Sequence, residues 1–224
     1  MITLIASFGV VIGTLALFII LSVFTGLRTF SDALLEISDP DIKISAVKGK
    51  SFLYSNTIDQ VISQNEAVAH FSKVVEERVF LTYENKQHIA FVKGVEENYN
   101  KITTIDSSLY LGNWLDKAYK NTAVIGNGIA YHLSLNFLNY GESLQISIPK
   151  PGKGIINPTN PFFTVNAKVI GVYSGTEEFQ NKYVFVDILL AQHLLKYTEN
   201  QITGIELKLI DKSDPNTIAK NLQK

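Results

Sequence analysis

The chain has 224 residues, with 20 Lys+Arg against 21 Asp+Glu, a formal net charge of −1 and no cysteine. That balance excludes a polybasic nucleic-acid or membrane-surface binder, since both need a cationic face. The lack of cysteine excludes a disulfide framework, thiol catalysis and cysteine-ligated metal, and suits an oxidising compartment.

Met1–Leu27 holds no Asp, Glu, Lys or Arg, and Arg28 is the first charged residue. As a helix rising about 1.5 Å per residue, this run reaches roughly 40 Å, more than the ~30 Å hydrocarbon core of a bilayer. It is too long for the apolar core of a signal peptide and has no basic leader, and Thr25-Gly26-Leu27 is a poor cleavage site. A transmembrane helix is predicted over 1–27. Phe30, Leu34, Leu35 and Ile37 recur at helical spacing among Asp32, Glu36 and Asp39. They predict an amphipathic extension over 28–38, ended by Pro40.

The alternation of Ile42, Ile44 and Ala46 predicts a strand over 41–47. Ile58, Val61 and Ile62 predict a short helix over 57–65, capped by Ser55 or Asn56. Residues 68–83 and 88–95 are β-rich and meet at a polar turn, Glu84-Asn85-Lys86-Gln87. A polar and aromatic stretch over 98–120 follows, anchored by Leu109, Leu111, Trp114 and Leu115. Next come a strand at 122–125, a helix at 129–135 and strands at 144–148, 163–173 and 182–186. A helix at 188–196, a strand at 204–210 and a helix opened by Asp214 and Pro215 complete the chain. The opening β-α-β-β block and the closing β-α pair predict an α+β fold: a discontinuous ferredoxin-like, porter-type domain over 39–96 and 202–224. A mostly-β subdomain is inserted over 97–201.

Motifs for chemistry fail on spacing. Gly49-Lys50-Ser51 would need a glycine at Ile44 to cradle phosphate. Gly126-Asn127-Gly128 would need its third glycine at Tyr131, so it reads as a tight strand-to-helix turn rather than a dinucleotide site. His70, His88, His132 and His193 are isolated in sequence, without metal-ligand spacing. The pairs Glu76-Glu77, Glu96-Glu97 and Glu177-Glu178 are adjacent and read as solvated edges or turns. No serine sits in a Gly-x-Ser-x-Gly elbow. No catalytic residue, cofactor or metal is expected, and the chain is read as non-catalytic.

Two features remain. Gly9 and Gly13 form a small-xxx-small pair, with Thr14, Ser22 and Thr25 nearby, which suits close helix packing and a substrate path in the membrane. The segment Pro149–Phe163 holds four of the six prolines, Pro149, Pro151, Pro158 and Pro161. It also carries Lys150, Lys153, Ile155, Ile156, Phe162 and Phe163. It joins two strands, so it is a long, stiffened hairpin loop and a candidate partner-docking element.

Gly9-Val-Val-Ile-Gly13, followed by Leu21-Ser22-Val23-Phe24-Thr25-Gly26, resembles the first transmembrane helix of lipoprotein-releasing ABC transporter permeases. These are of the LolC/LolE type, within the wider MacB/FtsX superfamily. Val124-Ile125-Gly126-Asn127-Gly128-Ile129-Ala130, Leu133 and Gly141-Glu142 resemble a second block of the family, with Glu142 where Asp is usual. Val169-Ile170-Gly171-Val172-Tyr173, Tyr183-Val184-Phe185-Val186 and Ala191-Gln192 resemble a third.

The resemblance implies a bacterial inner-membrane permease subunit with residues 28–224 in the periplasm. It implies a cytoplasmic ABC ATPase, a second permease subunit, a lipoprotein substrate and a periplasmic lipoprotein carrier as partners, with lipid around the helix. In LolC-type members a hairpin loop hooks the carrier, and Pro149–Phe163 occupies the corresponding place; LolE-type members engage lipoprotein instead. Three later helices of the family are not in the sequence, so the chain is expected to be part of a longer permease. The alternatives are a MacB-like exporter, an FtsX-like regulator of a cell-wall hydrolase, or a singly anchored periplasmic binding or scaffold protein.

Overall fold

A computed structural model describes residues 2–135, 143–150, 161–210 and 214–222. Helix α1 spans Ile2–Ser38, so the apolar run and its amphipathic extension are one element. Within it, Ser7–Phe30 is long and apolar enough to cross a membrane, and none of that stretch is buried against protein. Its threonines turn their hydroxyls inward: Thr14 donates to Val10 O at 2.9 Å, Thr25 to Leu21 O at 2.8 Å and Thr29 to Thr25 O at 3.0 Å. Each hydroxyl is thereby satisfied within the helix and needs no water.

The second unit begins at Ile37. Its elements in order are β1 (Ile42–Ser45), β2 (Phe52–Leu53), α2 (Asn56–Ser63), β3 (Val68–Tyr83) and β4 (Lys86–Val95). Two 3-10 turns at Glu97–Lys101 and Ile105–Ser108 lead to β5 (Leu109–Gly112), β6 (Thr122–Gly126), α3 (Asn127–Leu133) and β7 (Ser143–Pro149). Then follow β8 (Phe162–Tyr173), α4 (Glu177–Lys182), β9 (Tyr183–Asp187), α5 (Ile188–Leu195), β10 (Gln201–Ile202), β11 (Gly204–Leu209) and α6 (Pro215–Leu222). The predicted elements recur within a few residues. The Ser55 side chain accepts from Ile58 N as the cap of α2. The helix α4 was not anticipated: Glu177 and Glu178 fill its first turn, where carboxylates favour the helix dipole.

The long strand β3 organises the sheet. Its first half pairs with β11, its second half pairs with β4 on the opposite edge, and its end also pairs with β7. β4 then runs parallel to β9, β9 antiparallel to β6, β6 parallel to β8, and β8 antiparallel to β7. Because β7 returns to β3, these six strands close into a ring. Val79, Leu81, Ala90, Val92, Ala123, Ile125, Leu144, Ile146, Ala167, Val184 and Val186 form one buried cluster with residues of α3 and α5. Closure removes the edges that an open sheet of these strands would otherwise expose.

Helices plug the ring. His88, early in β4, stacks on His132 of α3 with ring centroids 5.0 Å apart. Gly94, near the end of β4, meets α5: a Cβ there would lie 2.4 Å from Ala191 Cβ. Six residues of strand separate the two points, roughly 20 Å, so α3 and α5 sit at opposite ends.

Outside the ring, β1 and β11 extend the sheet in the order β1-β11-β3, all antiparallel. Ile62 of α2 and Ile202, Ile205 and Leu207 bury there, with Phe52, Ile58 and Leu222 packed against them. A second cluster covers the outer face of β4, β6 and β9, where Tyr99, Ile102, Ile105 and Phe179 pack on Val95, Val124 and Phe185. The sheet therefore runs without a break across the boundary expected at residue 97.

Candidate functional site

The loop singled out by its prolines is the end of the β7–β8 hairpin. The register pairs Pro149 with Phe162 and Ile148 with Phe163, and Lys150 N donates to Pro161 O at 2.9 Å. Pro151, Lys153, Ile155, Ile156 and Pro158 lie outside the described residues. The two phenylalanines part company, as neighbours on a strand must. Phe163 turns inward with Ile148 and packs against the main core. Phe162 turns outward, is 39% exposed, and meets Phe80 edge-on with ring centroids 5.8 Å apart. Phe80 pairs across β3 and β4 with Ile89, which is itself 47% exposed. An apolar strip from Phe162 to Ile89 is thus presented beside the hairpin base, while Phe163 belongs to the fold.

Two lysines flank the inward ring. Lys150 Nζ and Lys196 Nζ lie 5.3 and 5.4 Å from the Phe163 centroid. Lys196 ends α5 in the left-handed conformation, with φ 59°. Its neighbours Leu194 and His193 complete a cleft of 320 Å³ with Thr164 and Val165.

On α1 the sequence-predicted residues divide between faces. At about 100° per residue, Gly9 and Gly13 share a side with Ala16, whereas Thr14, Ser22 and Thr25 lie roughly 120–160° away. The glycine face is open, with nothing within 4 Å of a Cβ built at either position. Small residues and hydroxyls therefore lie on different faces of α1.

The feature that the sequence reading missed is an ionic cluster, buried at Lys93 and Glu206 and open to solvent at Lys43. Glu76, assigned above to a solvated edge, accepts from Lys43 at 2.5 Å and from the Tyr183 hydroxyl at 3.1 Å. Glu206 is fully buried and accepts from the Tyr99 hydroxyl at 2.8 Å. Its other oxygen lies 2.9 Å from Lys93 and 3.5 Å from Lys43, held by charge rather than by an aligned hydrogen bond. Lys93 Nζ also faces the rings of Tyr99 and Tyr183 at 5.1 and 5.4 Å. Two lysines and two glutamates balance, which is what makes burial tolerable.

Their titration follows the geometry. Burial opposes both charges of the outer pair, but the Glu76 and Glu206 carboxylates hold Lys43 above its ordinary value, and Lys43 with Lys93 holds Glu76 below its own. For Lys93 burial dominates and lowers its value despite Glu206. Burial, reinforced by the carboxylates, raises Tyr99 and Tyr183.

Other candidates resolve structurally. Gly126 closes β6 and α3 starts at Asn127, a tight strand-to-helix turn. The glycine is required because a Cβ would lie 1.9 Å from Gln180 O, so α4 and not a nucleotide occupies the space. Lys50 of the Gly-Lys-Ser triplet pairs with Glu77 at 2.7 Å. His88 and His132, isolated in sequence, come together, yet no group of three potential metal ligands forms among the described residues.

An apolar N-terminal helix followed by a mixed α/β unit built on a nine-stranded sheet fits a membrane-anchored, periplasmic-type domain. The chain belongs to the MacB-like periplasmic core domain family, whose model matches residues 3–224. It is 24% identical over 218 residues to the lipoprotein-releasing system transmembrane protein LolE of Haemophilus influenzae, covering 94% of this chain and 51% of that protein. The chain thus spans about half the length of this curated relative. Its fold is similar to the periplasmic region of MacB from Actinobacillus actinomycetemcomitans, with a TM-score of 0.53 and 15% identity over 80% of this chain and 79% of that one. The extracellular domain of the ABC-type transporter YknZ from Gram-positive bacteria gives 0.54 and 12% identity, over 82% and 89%. The suspected membership of the MacB/FtsX superfamily, with a LolC/LolE-like relationship, is borne out.

Proposed function

We propose that the chain is the first membrane helix and periplasmic domain of an ABC transporter permease subunit that releases lipoproteins from the bacterial inner membrane. The carrying observation is that the likeness to LolE runs through 94% of the chain. In this reading a cytoplasmic ATPase and a second permease subunit complete the transporter, and chemistry is confined to the ATPase. The Gly9/Gly13 face of α1 packs against a neighbouring helix beside the substrate path, and the β7–β8 hairpin docks a soluble lipoprotein carrier. Residues 39–96 and 202–224 form a porter-like part, supported by the order β1-β11-β3 with α2 and α6 packed beside it, as a split ferredoxin-like unit requires. Residues 97–201 are the insertion, which borrows β4 and the end of β3 to close its ring.

The test is release of a radiolabelled lipoprotein from proteoliposomes that hold the complete subunit, its ATPase and its partner permease, with carrier outside. ATP-dependent transfer to carrier supports the reading. ATP hydrolysis that is indifferent to lipoprotein, but stimulated by a small exported compound, would assign the chain to a MacB-like exporter.

A further inference from the structure

The ionic cluster is crossed rather than paired strand by strand. Register places Lys43 of β1 opposite Glu206 of β11, and Glu76 of β3 opposite Lys93 of β4. Yet Lys43 reaches past β11 to Glu76 at 2.5 Å, and Lys93 reaches past β3 to Glu206 at 2.9 Å. The inner pair is sealed, whereas the Lys43 side chain is 39% exposed. Lys43 is therefore the member with a path to water.

Its strand is also the one placed to open. β1 is four residues long, lies at the end of the sheet and pairs with β11 alone among the described residues. Short edge elements of this kind open at lower free energy than the strands they border. Only Asp39, Pro40 and Asp41 separate β1 from α1.

Opening changes the charge balance. With Lys43 in place, two ammonium groups face two carboxylates; without it, Lys93 alone serves Glu76 and Glu206. The other groups around the cluster supply no replacement. Tyr183 from β9 and Tyr99 from the turn after β4 donate hydroxyls, and Asp39 ahead of β1 is anionic. Lys208 of β11 is turned to Asp41 at 3.4 Å, and Arg78 and Lys182 line a separate groove with Glu177 and Glu178. Two carboxylates that share one ammonium relieve their repulsion by taking up a proton.

We propose that Lys43 is a proton-linked latch: release of β1 from the sheet edge is exchanged for a proton on the Glu76–Glu206 pair. Burial opposes the charge of Glu76, but Lys43, Lys93 and Tyr183 hold it below the ordinary carboxylate value while the latch is closed. The open form thus binds the proton more tightly, and opening is favoured as pH falls through the carboxylate range. The strand next to α1 is thereby made responsive to acid, without any change in the buried Lys93–Glu206 pair.

The chain has no cysteine, so single thiols report on the strand in the full chain in detergent. I44C places one on the core side of β1, and V47C places one at a position that is 99% exposed. Both are reacted with dithiodipyridine, which attacks thiols in acid as well as at neutral pH. The ratio of the I44C rate to the V47C rate cancels the titration of the thiol itself and reads the open fraction. That ratio should rise about tenfold between about pH 6.5 and 4.5. K43M and E76Q, each combined with both cysteines in turn, should raise the ratio at neutral pH and abolish its pH dependence. K50M breaks the exposed Lys50–Glu77 pair and should leave the rise intact. A merely structural role for Lys43 would raise the ratio in K43M but keep its slope. A flat ratio in the parent chain, or an undiminished slope in K43M, overturns the latch. Loss of the slope in K50M as well would assign the effect to general surface charge and overturn it too.

Discussion

Replacing Lys93 with Met tests whether the ionic cluster is the closed, charge-balanced unit that its distances describe. Lys93 is 3% exposed and lies 2.9 Å from Glu206, which is completely buried. With the ammonium gone, Glu206 keeps only the Tyr99 hydroxyl at 2.8 Å and Lys43 at 3.5 Å, and Lys43 is already committed to Glu76 at 2.5 Å. Removing one partner of such a pair leaves an uncompensated buried charge, at a cost of about 3–5 kcal/mol. The buried stem of Met nearly matches that of Lys, so little of this loss is packing. Removing the whole group should behave differently. In K93M/E206L/Y99F neither the carboxylate nor the hydroxyl that served it remains, and stability should return to within about 1–2 kcal/mol of wild type. Urea denaturation of residues 37–224, followed by Trp114 fluorescence, gives the measurement. A shifted midpoint with an unchanged m-value identifies a stability change rather than an altered denatured state. If K93M costs less than about 1 kcal/mol, water reaches Glu206 and the buried description is wrong.

Three further outcomes follow from the same geometry. Glu76 has a depressed pKa, so its contribution is present above the ordinary carboxylate value and is lost as pH falls through the folded value. Lys43, Tyr99 and Tyr183 have raised values, so theirs is present below the ordinary Lys and Tyr values and fades as pH rises through the folded ones. Lys93 has a lowered value and works the other way, gaining stability as pH rises, so the acid side carries the test: denaturation midpoints should fall as pH drops below about 5, and K43M should flatten that acid limb. G126A should cost more than about 2 kcal/mol, because the obstruction is the backbone of Gln180. G128A meets only the Asn181 side chain and should cost less in the same denaturation series. The absence of cysteine makes α1 easy to map: single cysteines at Gly9 and Gly13 should cross-link to a different neighbouring helix from those at Thr14 and Thr25. Identical cross-link partners on gels would contradict the two-faced reading of the helix.

The anchor and most strands were legible because they rest on local signals: charge absence over 1–27, alternation in β3, and the capping serine before α2. Ring closure was not, since it depends on β7 reaching β3 and on β4 lying parallel to β9, pairings that no short window contains. The ionic cluster shares that non-locality, as Tyr99 and Glu206 are 107 positions apart. One signal was available nonetheless. Lys93 interrupts the apolar run Ile89–Val95, and a lysine inside a strand buried on both faces demands an anionic partner. Read that way, Lys93 predicts the existence of Glu206 without predicting its identity.

The hairpin shows the same division at the level of one dipeptide. The prolines and the lack of acidic residues mark 149–163 as a stiff cationic connection, and both phenylalanines look equally suited to grip a partner. Strand alternation already forbids that equality, because adjacent residues face opposite ways. Only the register decides which ring faces the core. Ile148 pairs with Phe163 and Ile146 with Val165, so the odd-numbered side chains of β8 at this end point inward and Phe162 is left outside. A one-residue slip would exchange the two roles, burying Phe162 and exposing Phe163. Truncation separates them. F163A should lower the denaturation midpoint, because it removes a ring packed against the core, whereas F162A should leave the midpoint near wild type and weaken carrier binding. A binding loss of about thirtyfold in F162A corresponds to roughly 2 kcal/mol, the scale of an interface anchor. Equal midpoints for the two variants would mean that Phe163 is not part of the ring's end, and the cleft built around it would lose its foundation.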